Sequence, residues 1–288
     1  MDWNKGRRSS NVEDRRTGGG GGKLGIGAML AVVVVSVLLG KNPIEMLGLI
    51  EQSGVAEVIS GTAGEPAGTA PPADDREAEF VARILGDTED VWGAIFQQSG
   101  RRYGQPTLVL FAGRVRSACG GATAATGPFY CPADQQVYLD TSFFSQLRAS
   151  LGGGGDFAEA YVIAHEVGHH VQTLLGVSAE VNKARQRGDQ VLGDGGLLVR
   201  QELQADCLAG VWAHHAQARH QWLDAGDLAE ALNTASAIGD DHLQKQAQGT
   251  VVPDAFSHGT SAQRVRWFKA GFEGGDVAGC DTFSAKGL

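Results

Sequence analysis

The chain has 288 residues, of which 42% are hydrophobic, enough to bury one large core or two small ones. Its net charge is −9, and residues 1–23 carry six basic against three acidic side chains, so the rest is more acidic still. That balance argues against nucleic acid as a partner.

Residues 1–23 end in "TGGGGG" and read as a disordered cytoplasmic tail. Residues 24–40, "LGIGAMLAVVVVSVLLG", hold no charge. Seventeen helical residues reach about 25 Å at ~1.5 Å each, near the lower limit for a bilayer span. The basic flank predicts a single-pass anchor in the inner membrane, with the remainder facing the periplasm or exterior. A cleaved signal peptide is the competing reading. It is weaker, because the apolar run exceeds the usual signal length and no A-x-A-like site follows. Residues 41–75, rich in Gly, Ala, Pro and Thr, lack the large apolar groups a core needs and read as a linker.

Residues 76–288 read as the folded domain. "DREAEFVARILGDTEDVWGAIFQQ" spaces Phe80, Ile84, Val91 and Ile95 as a helix does, with a break expected near Gly86. "PTLVLFAGRV" predicts a strand, and "DQQVYLD" a second one, with Val137 and Leu139 on its covered face. The stretch between them, "RSACGGATAATGPFYCPA", reads as a glycine-rich loop. "TSFFSQLRAS" and most of the chain beyond Asp156 read as helices. The fold class is therefore α+β, a small sheet followed by a helical half.

"AYVIAHEVGHHVQ" puts three histidines and a glutamate among apolar residues. Asp156 with Glu159 resembles a capping box, Gly176 supplies a stop, and Ile163, Val167, Val171 and Leu174 form one apolar stripe. His165 and His169 lie four apart, so both project from one side of a helix and can share a tetrahedral ion, with Zn²⁺ the usual occupant. Glu166 has the general-base position of an H-E-x-x-H motif. Gly168 leaves room for another backbone. On its own, H-E-x-x-H is short enough to arise by chance. "VRQELQADCLAGVWAHH" decides, because Glu202 and Asp206 sit one turn apart among apolar residues that rarely surround an unpaired acid. Glu202 is the expected third ligand, and Asp206 the acceptor for the outer N–H of a ligand histidine.

The H-E-x-x-H plus E-x-x-x-D pair is similar to that of the glutamate-ligand zincins. More closely, "AHEVGHHVQ", "RQELQADCLAGVWA", "GPFYCPADQQVYLD", "HGTSAQRVRWF" and "NVEDRR" resemble the bacterial membrane-anchored neutral zinc metallopeptidases, over nearly the whole chain. The resemblance implies a zincin-like fold, one zinc ion on His165, His169 and Glu202, and hydrolysis of a peptide or protein substrate with Glu166 as base. The glycine-rich stretch 186–198 departs from the continuous helix expected there.

His258 and Arg264, beside a T-x-x-Q helix start, are possible transition-state donors, although surface or core pairing is the commoner fate of such residues. His170 points away from its neighbour and reads as structural. "QVYLD" is a candidate edge strand for holding substrate backbone, with an interior strand the alternative. The four cysteines lack C-x-x-C spacing, and beyond the cytoplasm they are expected to pair as Cys119–Cys131 and Cys207–Cys280. Two further functions compete with a membrane-tethered peptidase: a non-catalytic zinc-binding envelope scaffold, and hydrolysis of a non-peptide amide.

Overall fold

The computed structural model describes residues 1–16, 68–72, 74–151, 155–224 and 226–288. The described residues form six strands, numbered in chain order, with one long helix between the first two: β1 (Val12–Asp14), β2 (Thr107–Phe111), β3 (Arg114–Ser117), β4 (Gly120–Thr123), β5 (Phe129–Cys131) and β6 (Gln136–Asp140). Four of them form one sheet in the order β1-β2-β6-β5. The β1–β2 and β2–β6 pairs are parallel, with Val12 opposite Leu108 and Leu108 opposite Val137, and β5 runs antiparallel to β6. β6 is thus an interior strand, and the edge beside it belongs to β5.

The expected glycine-rich loop is instead structured. β3 and β4 make an antiparallel hairpin, and β5 follows it. The hairpin explains a second difference. Val137 and Leu139 point into the main core, but Tyr138 is also buried, packed with Val109, Phe111, Val115 and Cys131 under the hairpin. Both faces of this strand are therefore covered. The Cys119–Cys131 disulfide ties the hairpin turn to β5.

The helical half begins with α1 (Arg76–Gln98), capped by Asp75, whose carboxylate accepts from the Ala78 N–H. α1 runs straight through Gly86. That glycine serves close approach rather than a break: a Cβ there would lie 2.2 Å from the Arg7 carbonyl oxygen. α2 (Ser142–Leu151), α3 (Asp156–Leu175), α4 (Val177–Gln186), α5 (Leu197–His220), α6 (Asp227–Ala237), α7 (Asp240–Gln248) and α8 (Ser261–Gly274) complete the set. α3 is buried on nearly every side from Phe157 to Val171, as a helix at the centre of a domain must be. It ends on Gly176 in the left-handed region at φ +88°.

α5 and α8 cross backbone to backbone. A Cβ on Gly271 would sit 1.9 Å from the Cys207 carbonyl oxygen, and one on Gly210 would sit 2.2 Å from that of Phe268. The Cys207–Cys280 disulfide then fastens the C-terminal segment to α5. Between α4 and α5, Gly193 and Gly195 take φ values of +102° and +85°, so the glycine-rich stretch is a tight turn between two helices.

The start of the chain corrects the expected organisation. Trp3 is buried and its indole N–H donates to Asp156 at 2.9 Å. The Met1 ammonium lies 3.1 Å from Asp227, Arg7 lies 2.6 Å from Glu89, and β1 is a strand of the main sheet. Residues 1–16 are therefore part of the folded unit and not a disordered tail. A single membrane span puts its two flanks on opposite sides, whereas strand pairing puts them side by side. Among the described residues, moreover, no helix is long and apolar enough to cross a membrane. The expectation of a single-pass inner-membrane protein is overturned by these findings. Residues 24–40, on which the anchor was read, lie outside the described residues, as does most of the linker read over 41–75.

Candidate metal centre

α3 carries the first three residues of the site. Its first turn differs from the expected capping box, because Gly155 is the N-cap while Asp156 and Glu159 are spent on Trp3 and Arg148. Helical spacing then sets His165 and His169 one turn apart with ring centroids 4.8 Å from each other. Gly168 between them lets α5 come close: a Cβ there would be 2.9 Å from the Ala205 carbonyl oxygen. This approach brings Glu202, in the second turn of α5, against both rings. Its carboxylate oxygens lie 3.2 Å from His165 Nε2 and 3.4 Å from His169 Nε2. One ligand atom each from His165, His169 and Glu202 falls within 4.8 Å of the other two, a group that could hold a metal ion.

The outer ring nitrogens decide whether such an ion fits. His165 Nδ1 lies 2.9 Å from Asp206 Oδ1, and His169 Nδ1 lies 2.9 Å from Gln172 Oε1. Both partners are acceptors, so each Nδ1 donates outward and each Nε2 is turned to Glu202, where a metal ion would take the place of the Nε2 proton. With those protons displaced, two neutral imidazoles and a carboxylate converging in this way are the donor set of a zinc site with an open fourth position. The donor set fits.

Electrostatics point the same way. Burial opposes charge on His165, but Asp206 and then Glu202 outweigh it and raise its pKa to about 10. Burial likewise opposes charge on His169, and Glu202 raises its pKa. Glu202 is itself held well below the usual carboxylate range against its burial, chiefly by His169 and then His165. The pocket favours positive charge at its centre.

Behind His165 lies a buried network. Asp206 accepts from Tyr161 Oη at 2.5 Å and from the Arg264 guanidinium at 2.8 and 2.9 Å. Its pKa falls to about 2 despite burial, because of Arg264 and then His165. Arg264 is 2% exposed and committed to Asp206, which rules out the transition-state role considered for it. It is a partner of His165's partner.

His258 has different surroundings. Its Nδ1 lies 3.2 Å from Asp240 Oδ1, and Asp240 Oδ2 also accepts from the Ser257, His258 and Gly259 N–H groups. The hydrogen bond to Asp240 raises its pKa, with Glu202 near enough to contribute. His170 is buried, Nε2 on the Gly104 carbonyl at 2.6 Å and Nδ1 on Tyr130 Oη at 3.0 Å, which joins α3 to β5. Glu166 is 8% exposed, and its carboxylate accepts no hydrogen bond from the described residues.

Sequence reasoning missed Tyr161, Gln172 and Asp240. The first two stood in reach, since Tyr161 is four residues before His165 and Gln172 three after His169, on the same helix. Asp240 carried no signal, lying 18 residues from His258.

The family profile described as "Putative neutral zinc metallopeptidase" matches residues 1–283. The chain is 47% identical over 292 aligned positions to the uncharacterized protein YpfJ of Escherichia coli, covering 98% of this chain and 99% of that one. It is 46% identical over 196 positions to an uncharacterized Mycobacterium bovis protein, covering 65% of each. No solved structure matches the chain.

Proposed function

The chain belongs to this neutral zinc metallopeptidase family, and from that premise we propose that it is a zinc-dependent peptidase holding one ion on His165, His169 and Glu202. The observation that carries the reading is the convergence of two Nε2 atoms and a carboxylate on one point, each imidazole fixed by an acceptor behind it.

A zinc ion held there would supply Lewis acidity, polarising a scissile carbonyl and acidifying a water. The chain's own groups do the rest. Glu166 follows His165 directly and lies near enough to His169 to affect its charge. It takes the proton from the attacking water and delivers it to the leaving nitrogen. His258, held by Asp240 and half-exposed, donates to the carbonyl oxygen as negative charge develops. Substrate backbone pairs with β5, an edge strand tied to the ligand helix through Tyr130 and His170.

The test compares turnover of a mixed peptide library by wild type and Glu166→Gln at equal zinc loading. Activity is expected to fall about 10²-fold or more with zinc content unchanged, the usual size of general-base catalysis. Equal rates would remove Glu166 from the mechanism. A wild type that binds zinc without any turnover would favour a zinc-binding scaffold.

A further inference from the structure

The two ligand histidines are backed by different chemistry, a carboxylate behind His165 and a neutral amide behind His169. An amide is a riskier choice, since a flip would present N–H₂ to the ring in place of oxygen. The structure removes that ambiguity. Gln172 is fully buried, and its Nε2 donates to the Gln201 backbone carbonyl at 2.7 Å and to Gln204 Oε1 at 3.0 Å. A backbone carbonyl can only accept, so the nitrogen must face Gln201 and the oxygen must face His169. Gln204 is fixed by the same logic: its Nε2 donates to the Cys280 carbonyl at 3.0 Å, which leaves its oxygen turned to Gln172. Cys280 is in turn held to α5 by its disulfide with Cys207.

We propose that Gln172 is a positioning residue for the second metal ligand, and that Gln204 and the disulfide-held Cys280 carbonyl orient it. Every link has one sense. The Cys280 carbonyl accepts from Gln204, Gln204 accepts from Gln172, and Gln172 accepts the Nδ1 proton of His169. His169 thus has its Nδ1 committed as a donor, and Nε2, turned to Glu202, is the atom left for a metal ion. The C-terminal segment thereby sets the tautomer of a ligand more than a hundred positions away in sequence. The proposal rests on His165, His169 and Glu202 being the metal centre.

The experiment measures zinc affinity by competition with a chromophoric chelator, and the His169 tautomer by ¹⁵N NMR of the metal-free protein at a pH where the ring is neutral, for the full chain and three variants. Gln172→Leu is expected to weaken zinc binding about 10- to 100-fold, the usual effect of removing such an outer partner, and to lose the single Nδ1–H tautomer. Gln204→Leu is expected to do the same to a smaller degree. Gln172→Glu keeps an oxygen on His169 but loses both N–H donors, so it is expected to retain zinc affinity even where thermal stability falls. If Gln172→Glu and Gln172→Leu lose zinc equally, the residue serves packing alone and the proposal fails. Wild-type affinity and tautomer in Gln172→Leu would also overturn it. A wild type that binds no zinc would overturn the metal centre itself, and this inference with it.

Discussion

Glu159, Glu202 and Asp206 are all carboxylates, but they answer differently to burial because their partners differ. Asp206 meets a bidentate guanidinium and a histidine, and Glu202 meets two histidines, so both stay ionised. Glu159 has Arg148 alone. Burial raises its pKa to about 7, with Arg148 offsetting only part of the effect. A carboxyl raised above its unfolded value binds more protons in the folded state. Its contribution to stability is present below the unfolded pKa of about 4.3 and is lost as pH rises through about 7. Melting temperature followed from pH 4 to 8 is therefore expected to decline more steeply in wild type than in Glu159→Gln. Parallel curves would show that Glu159 ionises as freely in the folded protein as in the unfolded chain.

At the scale of elements, the candidate metal centre depends on crossings that only glycine permits. α3 and α5 meet at Gly168, which sets Glu202 against the two histidines. α5 and α8 meet at Gly210 and Gly271, which sets Arg264 on Asp206. A methyl group at 271 would lie 1.9 Å from backbone, and backbone cannot swing aside as a side chain can. Gly271→Ala is expected to destabilise by about 3 kcal/mol, the upper end for overpacking. It should also weaken zinc binding, since it shifts the helix that carries Arg264. Chemical denaturation and chelator competition check the two effects separately. Unchanged zinc affinity in a destabilised variant would uncouple α8 from the site.

At the scale of the molecule, the first residues and the last both brace the domain. Residues 1–16 supply a sheet strand, and Trp3 and Val12 are 6% and 5% exposed. Burial of two such side chains is worth about 3 kcal/mol or more. The Cys207–Cys280 disulfide, spanning 73 positions, removes about 4.5 kcal/mol of unfolded-chain entropy in the loop-closure treatment. A fragment beginning at residue 76 is thus expected to unfold at lower urea than the full chain, by an amount matching the lost strand and its ion pairs. Equal midpoints would mean that the N-terminal segment contributes nothing to stability.

The sequence by itself determined the helix that carries the histidines, its glycine stop, the His165–His169 spacing, the Glu202–Asp206 pair and the capped start of α8. Each of these is a local pattern, fixed by helical periodicity or a short turn. Both cysteine pairings match the expected ones, although that expectation rested on an even count and an exported domain, and count alone leaves three connectivities open. Tertiary structure alone decided the rest. Gly86 read as a break because local propensity cannot distinguish a glycine that bends the chain from one that admits a neighbour, and "RSACGGATAATGPFYCPA" read as a loop although Gly120 and Gly121 lie in β4. Tyr138 read as exposed because the hairpin covering it comes from another part of the chain. The roles of Arg264, Asp240 and Gln172 depend on which acceptor each donor meets across distances of three to nearly sixty positions. Residues 1–16 read as disordered because a three-residue strand carries almost no signal until β2 offers it a partner. Local patterns fix elements; contacts between distant residues fix what those elements are for.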